Sequence, residues 1–134
     1  MNMKENAMLA IAALFSVLLM TIHLADDIVR GMEKGGPSNL LAVPILVAWL
    51  YGALVLTDRS SGYVIVLLGS LLGAVVPVVH FTGVGGVAGG AAASSSGALF
   101  FVWAQIALGV SSVFSVVLAV RGLWRRLRQP QPTA

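Results

Sequence analysis

The sequence of 134 residues contains no cysteine and few charged residues. Without cysteine the chain forms no disulfide bond, zinc–thiolate site or iron–sulfur cluster, and it has no thiol nucleophile. Charged residues make up only 10% of the chain, whereas soluble domains have about 25%. Hydrophobic residues make up 58%, and a soluble chain of this length has too little interior to bury so many. The composition therefore predicts an integral membrane protein whose apolar surface is covered by lipid.

Four apolar segments are long enough to cross a bilayer, because a hydrocarbon core of about 30 Å needs roughly 20 apolar residues in a helix. With the polar residues that continue them, they predict helices at about 7–30, 39–57, 62–81 and 98–124. We expect a flexible loop rich in glycine, alanine and serine at 82–97 and a disordered tail at 129–134. The predicted fold is a single all-α transmembrane domain over residues 1–134, a four-helix bundle in up-down order.

Lysine and arginine are distributed unevenly about the four predicted spans. If the N-terminus is in the cytoplasm, only Arg30 and Lys34 lie outside. The basic residues on the inner side are then Lys4, Arg59, Arg121, Arg125, Arg126 and Arg128. Positive residues concentrate on the cytoplasmic side of membrane proteins, so we expect both termini inside, in a bacterial inner membrane.

The distribution of lysine and arginine also affects which binding partners we expect. The sequence pI is about 10, but the basic residues are a topology signal, and we expect no nucleic-acid partner. The expected partners are the lipid bilayer and either further copies of the chain, in a homo-oligomer, or the subunits of a membrane complex.

A polar stripe runs along the first predicted helix. Ser16, Met20, His23, Asp27 and Arg30 recur at spacings of three and four residues and share one helix face, with Asp26 beside it. Ionisable groups at membrane depth usually face the protein interior or a water-filled cavity. In one interpretation His23 bonds to Asp27, an aspartate pairs with Arg30, and the group is an interfacial helix end. In the other, His23 and a carboxylate point into the bundle as metal ligands or a proton site.

Small residues indicate a packing face on the third and fourth predicted helices. Gly69 and Gly73 form a GxxxG pair, which allows the backbone of another helix to approach closely. Pro77 lacks an amide proton, so we expect a bend there. On the fourth helix, Gly109 lies on a mild stripe with Gln105. We therefore expect Gly69, Gly73, Pro77 and Gly109 to pack helix against helix.

His23 and His80 are the two histidines of the chain. At 1.5 Å per residue, His23 lies about 24 Å along its helix and His80 about 25–27 Å along the third. Helices one and three of an up-down bundle run in the same direction, so both histidines should lie near the outer end, where Gln105 also lies. The candidate ligand or proton site consists of His23, Asp26, Asp27, Arg30, His80 and Gln105.

Three kinds of site remain open for this cluster. It forms a structural or proton-linked polar network, or it binds a metal through His23, Asp27 and His80, or its two imidazoles hold a haem. Nitrogen and oxygen donors suit Zn or Cu better than Fe or Mn. Close packing at Gly69 and Gly73 disfavours haem.

No motif in the sequence names a reaction. The sequence has no phosphate-binding glycine loop followed by Lys-Ser or Lys-Thr, no HExxH motif and no plausible Ser/His/Asp arrangement, and we predict no catalytic residue. We expect a non-enzymatic membrane protein that binds a ligand or ion near its outer face or serves as an accessory subunit. The alternatives are a metal- or haem-binding redox or enzymatic protein with His23 and His80 as ligands, and an oligomeric proton- or ion-coupled transporter.

Overall fold

The computed structural model of the chain describes residues 3–82 and 97–128. These residues form four α-helices, α1 (Met3–Val29), α2 (Ala42–Leu54), α3 (Ser60–Thr82) and α4 (Ala98–Arg128), and a short 3-10 helix, Pro37–Leu41, continues into α2. Each α-helix, with the 3-10 helix counted as part of the second, is long and apolar enough to cross a membrane. The prediction of an all-α chain with four helices of membrane-spanning length is therefore confirmed.

The helix bounds differ from the predicted ones mainly at polar ends. α1 begins at Met3 instead of residue 7, and α4 continues to Arg128, one turn beyond residue 124. Glu5 near the start of α1 and arginines in the last turn of α4 both interact favourably with the helix dipole, which explains why the helices continue through these residues. The predicted second helix, 39–57, begins as the 3-10 helix and ends at Leu54. The predictions for the loop and the tail fall on residues 83–96 and 129–134, outside the described residues.

Large apolar side chains cover the outside of the bundle. Ile11, Leu68 and Val110 are among many that are at least half exposed. The interior contains large buried side chains such as Trp49 and Tyr63. Extensive exposed apolar surface is a liability in water but not in lipid, so this arrangement fits a membrane protein.

The glycines of the GxxxG pair lie against side chains of the neighbouring helices. A Cβ atom at Gly69 would lie 2.4 Å from Trp49 Cδ2 of α2, and one at Gly73 would lie 2.4 Å from Ser112 Oγ of α4. The space that Gly69 leaves open is thus filled by the indole of Trp49, and the space at Gly73 is filled by the small side chain of Ser112. At Gly109 of α4 the nearest atom to an added Cβ is Pro77 Cγ, at 3.2 Å.

Polar contacts between the helices cluster at two ends of the bundle, and between them the Ser16 hydroxyl of α1 donates to the Ser111 hydroxyl of α4. We call the first the histidine end; it consists of His23, Asp27, His80 and Gln105. We call the second the arginine end; it consists of Glu5, Asn6, Asp58, Tyr63, Arg121, Arg125 and Arg126. The end of α1 therefore meets the end of α3 and the first part of α4, whereas the start of α1 meets the start of α3 and the end of α4.

Candidate metal centre

The last two turns of α1 place His23 and Asp27 at the centre of the candidate site. Their spacing of four residues puts them on one helix face, and both are buried, with 4% and 5% of their surface exposed. The helix ends just after Asp27, because Gly31 adopts a left-handed conformation with φ of 71°. The amides of Met32 and Glu33 then donate to the carbonyl of Asp27. This helix end holds the aspartate in the bundle interior.

One carboxylate oxygen of Asp27 faces both histidines. Asp27 Oδ2 lies 3.4 Å from His23 Nε2 and 3.4 Å from His80 Nε2. The two imidazole rings meet edge to face, with centroids 4.7 Å apart. The sequence predicted that the two histidines lie at a similar depth along their helices. In the structure their rings are in contact.

The second ring nitrogen of His80 is held by the backbone. His80 Nδ1 lies 2.9 Å from the carbonyl oxygen of Val76. A carbonyl oxygen only accepts hydrogen bonds, so Nδ1 carries the proton, and Nε2 of the neutral ring presents a lone pair. That lone pair faces a carboxylate oxygen, which is also an acceptor. Two acceptors that face each other repel. A proton or a metal cation between Asp27 and His80 makes the interaction attractive.

The second ring nitrogen of His23 is contacted by the side chain of Gln105, which is fully buried. The amide nitrogen of Gln105 lies 2.8 Å from His23 Nδ1. Among the described residues, Gln105 Oε1 and Asp27 Oδ1 are buried polar atoms that have no hydrogen-bond partner. Buried polar atoms are nearly always paired, so we expect a further group to bind these two atoms.

Asp26 and Arg30 form a separate pair at the edge of the candidate site. Arg30 Nε lies 2.6 Å from Asp26 Oδ2. The guanidinium also donates to the carbonyl of Gly97 and lies 5.2 Å from the ring centre of Phe101. The structure therefore divides the polar stripe: Asp26 and Arg30 fit the interpretation of an interfacial helix end, while His23 and Asp27 point into the bundle.

Phe101 is part of this environment, and sequence reasoning did not identify it. It is buried, and its ring centre lies 6.3 Å from that of His23 and 5.7 Å from that of His80. Its place four residues before Gln105, on the same face of α4, was the available signal. The ring adds an apolar wall that lowers the local dielectric and strengthens the electrostatic interactions beside it.

A cavity of about 630 Å³ leads to the candidate site between α1, the 3-10 helix, α2 and α3. His23, Asp27 and His80 line it, and so does Glu33, which is exposed in the segment after α1. A hydrated cation that enters this cavity can therefore pass the carboxylate of Glu33 and reach His23, Asp27 and His80.

Comparisons of the chain with family models, with curated proteins and with solved structures gave no match. What the site does is therefore inferred from its own residues and their geometry.

Proposed function

We propose that this chain is a membrane protein that binds a divalent transition-metal ion, Zn²⁺ or Cu²⁺, through His23, Asp27 and His80. The observation that carries the proposal is their convergence: the ligand atoms of the three residues lie within 4.8 Å of one another. Two imidazoles and one carboxylate are donors that these ions prefer. Tetrahedral ligands at about 2.0–2.2 Å from zinc lie about 3.3–3.6 Å apart, and both distances from Asp27 Oδ2 to a histidine Nε2 are 3.4 Å.

The outer shell of the site supports the same proposal. Histidines that bind metals usually donate the proton of their other ring nitrogen to a carbonyl or carboxylate. His80 does so to Val76. Three protein ligands leave a fourth position for water or another ligand, and the cavity supplies the space for it. We infer an ion-binding protein or an ion-binding subunit of a larger membrane complex.

Haem ligation fits this geometry poorly. A haem held by two imidazoles needs a slot as wide as the porphyrin between the two rings. The rings of His23 and His80 lie edge to face at 4.7 Å, and their Nε2 atoms approach the same carboxylate oxygen. Zinc or copper is the better fit.

Ion-coupled transport is the second candidate. Ser16, Ser70 and Ser112 are fully buried between the histidine end and the arginine end, and the hydroxyls of Ser70 and Ser112 have no partner among the described residues. Such hydroxyls can contact an ion or water that leaves the histidine end. Protein reconstituted in vesicles should then show Zn²⁺ or proton flux that Asp27→Asn abolishes; an equal flux in that variant contradicts the transport candidate.

Metal analysis tests the leading proposal. Protein purified without a histidine tag should bind one Zn²⁺ per chain, and His23→Ala and His80→Ala should each lose it. Asp58→Asn is the matched control, because it neutralises a carboxylate at the arginine end and should keep the metal. Folded wild-type protein that binds neither Zn²⁺ nor Cu²⁺ would overturn the proposal.

The proposed orientation is the one predicted from lysine and arginine, with both termini in the cytoplasm of a bacterial cell and the histidine end outside. The absence of native cysteine makes a single introduced cysteine a unique label. A cysteine at Lys34 should react with an impermeant reagent from outside, and one at Ser60 should react only from inside. The opposite pattern would reverse the orientation.

A further inference from the structure

The two histidines of the site differ in what holds their second ring nitrogen. The partner of His80 Nδ1 is a backbone carbonyl, which accepts only, so the proton position on this ring is fixed. The partner of His23 Nδ1 is the carboxamide of Gln105. A carboxamide presents a donor from one side and an acceptor from the other, so it is compatible with either tautomer of His23.

The observed orientation of Gln105 favours one of these tautomers. With the amide nitrogen 2.8 Å from His23 Nδ1, the amide donates and Nδ1 is the acceptor. The ring proton is then on Nε2, which faces Asp27 Oδ2 at 3.4 Å. In this state the imidazole cannot bind a metal through Nε2, because a ligand nitrogen needs its lone pair free.

The opposite orientation of the amide favours the metal-binding tautomer. If Gln105 presents Oε1, that atom accepts a proton from His23 Nδ1, and the Nε2 lone pair is directed to the same place as His80 Nε2 and Asp27 Oδ2. Gln105 Oε1 is fully buried and has no hydrogen-bond partner among the described residues, so it is available for this role. A half-turn of the amide group exchanges the two arrangements.

We propose that Gln105 is a positioning residue that sets the tautomer of His23: its amide nitrogen keeps the His23 proton on Nε2 in the metal-free site, and its oxygen supports the metal-bound site. This inference rests on the proposed metal binding. The two histidines then differ as ligands. His80 Nε2 has its lone pair free before the metal binds, whereas His23 must first move its proton from Nε2 to Nδ1.

Nitrogen-15 NMR of histidine-labelled protein in detergent micelles tests the tautomers directly, because protonated and lone-pair ring nitrogens have different chemical shifts. In wild-type protein His80 should keep its proton on Nδ1 with and without Zn²⁺. His23 should move its proton from Nε2 to Nδ1 when Zn²⁺ is added. If His23 carries its proton on Nδ1 in both states, the inference is overturned while metal binding stands.

Two substitutions at position 105 separate a positioning role from a structural one. Gln105→Met removes the amide and should weaken Zn²⁺ binding by about tenfold to a hundredfold, the usual effect of losing an outer-shell partner. Gln105→Glu presents only acceptor oxygens when ionised and should restore binding, with His23 already protonated on Nδ1 before Zn²⁺ is added. Co²⁺ should show the same visible absorption bands in Gln105→Glu as in wild type.

Ser115→Ala is the matched control. Ser115 lies about three turns further along α4, it is likewise fully buried, and its hydroxyl donates to the backbone carbonyl of Ser111. Its removal should leave Zn²⁺ affinity and the histidine tautomers unchanged. Equal Zn²⁺ binding by wild type and Gln105→Met would overturn the inference alone, whereas wild-type protein that binds no metal would overturn the proposed function and the inference together.

Discussion

The histidine end and the arginine end join the same three helices, α1, α3 and α4. They differ in how far their charged side chains are exposed to solvent. At the arginine end, Glu5 pairs with Arg121 and Arg125, and the Tyr63 hydroxyl donates to Asn6. The arginines are half exposed, so the charges are both paired and hydrated. At the histidine end, Asp27 and His23 are buried and two polar atoms have no partner among the described residues.

The difference teaches that burial, more than residue type, separates a structural contact from a candidate site. An exposed ion pair contributes little to stability, because water already solvates its charges. A buried carboxylate has lost that solvation, and it needs a proton, a metal or a full set of hydrogen bonds in return. Four predictions test this contrast, from the largest expected effect to the smallest.

Asp27→Asn should remove metal binding. The substitution keeps the shape of the side chain but removes the charge that both histidines share, so Zn²⁺ affinity should fall by more than the roughly hundredfold that outer-shell changes cause. Isothermal titration in detergent measures this loss. Asp26→Asn is the matched control, since Asp26 pairs with Arg30 instead, and it should keep most of the affinity. Equal losses in the two variants would contradict the assignment of Asp27 as the ligand.

Gly69→Ala tests the packing that lies between the two ends. The added Cβ would lie 2.4 Å from Trp49 Cδ2, and the indole is buried with only 2% of its surface exposed. Overpacking of this kind costs about 1–3 kcal/mol, which denaturant titration in mixed micelles should measure. Gly109→Ala should cost less, because the nearest atom lies at 3.2 Å. A larger cost at Gly109 would show that the indole moves aside more easily than the proline.

Glu5→Gln tests the arginine end. It weakens two ion pairs whose arginine side chains are half exposed, so the free energy of unfolding should fall by at most about 1 kcal/mol. Zn²⁺ affinity should stay the same, because the substitution lies at the opposite end of the bundle. A change in Zn²⁺ affinity would show that the two ends are coupled.

Glu33→Gln should have the smallest effect, and it should change the rate of Zn²⁺ binding. Glu33 is exposed on the wall of the cavity that leads to the site, and an acidic entrance raises the local concentration of cations. Stopped-flow measurements with Zn²⁺ should show loading slowed by about two- to fivefold at low ionic strength, with less difference in high salt. An equal slowing at all salt concentrations would argue against electrostatic attraction.

Local patterns in the sequence were sufficient for most of the fold and for part of the site. Apolar length predicts the four helices, because a bilayer demands about 20 residues per span. The spacing of His23 and Asp27 places both on one helix face, and the two helix depths bring His80 to the same height. The bounds at Met3 and Arg128 were missed, since polar residues at helix ends prolong a helix without adding apolar length.

What the sequence by itself determined is thus the number of helices, the clustering of positive charge and the height of the two histidines. Only the tertiary structure decided that Asp27, not Asp26, faces both histidines, that Gln105 contacts His23 and Phe101 lies beside both rings, and that Trp49 fills the space at Gly69. Gln105 and His23 are separated by 82 positions, and their contact depends on how far each helix is rotated about its own axis. Periodicity identifies the face of a helix, but the packing of neighbouring side chains sets that rotation.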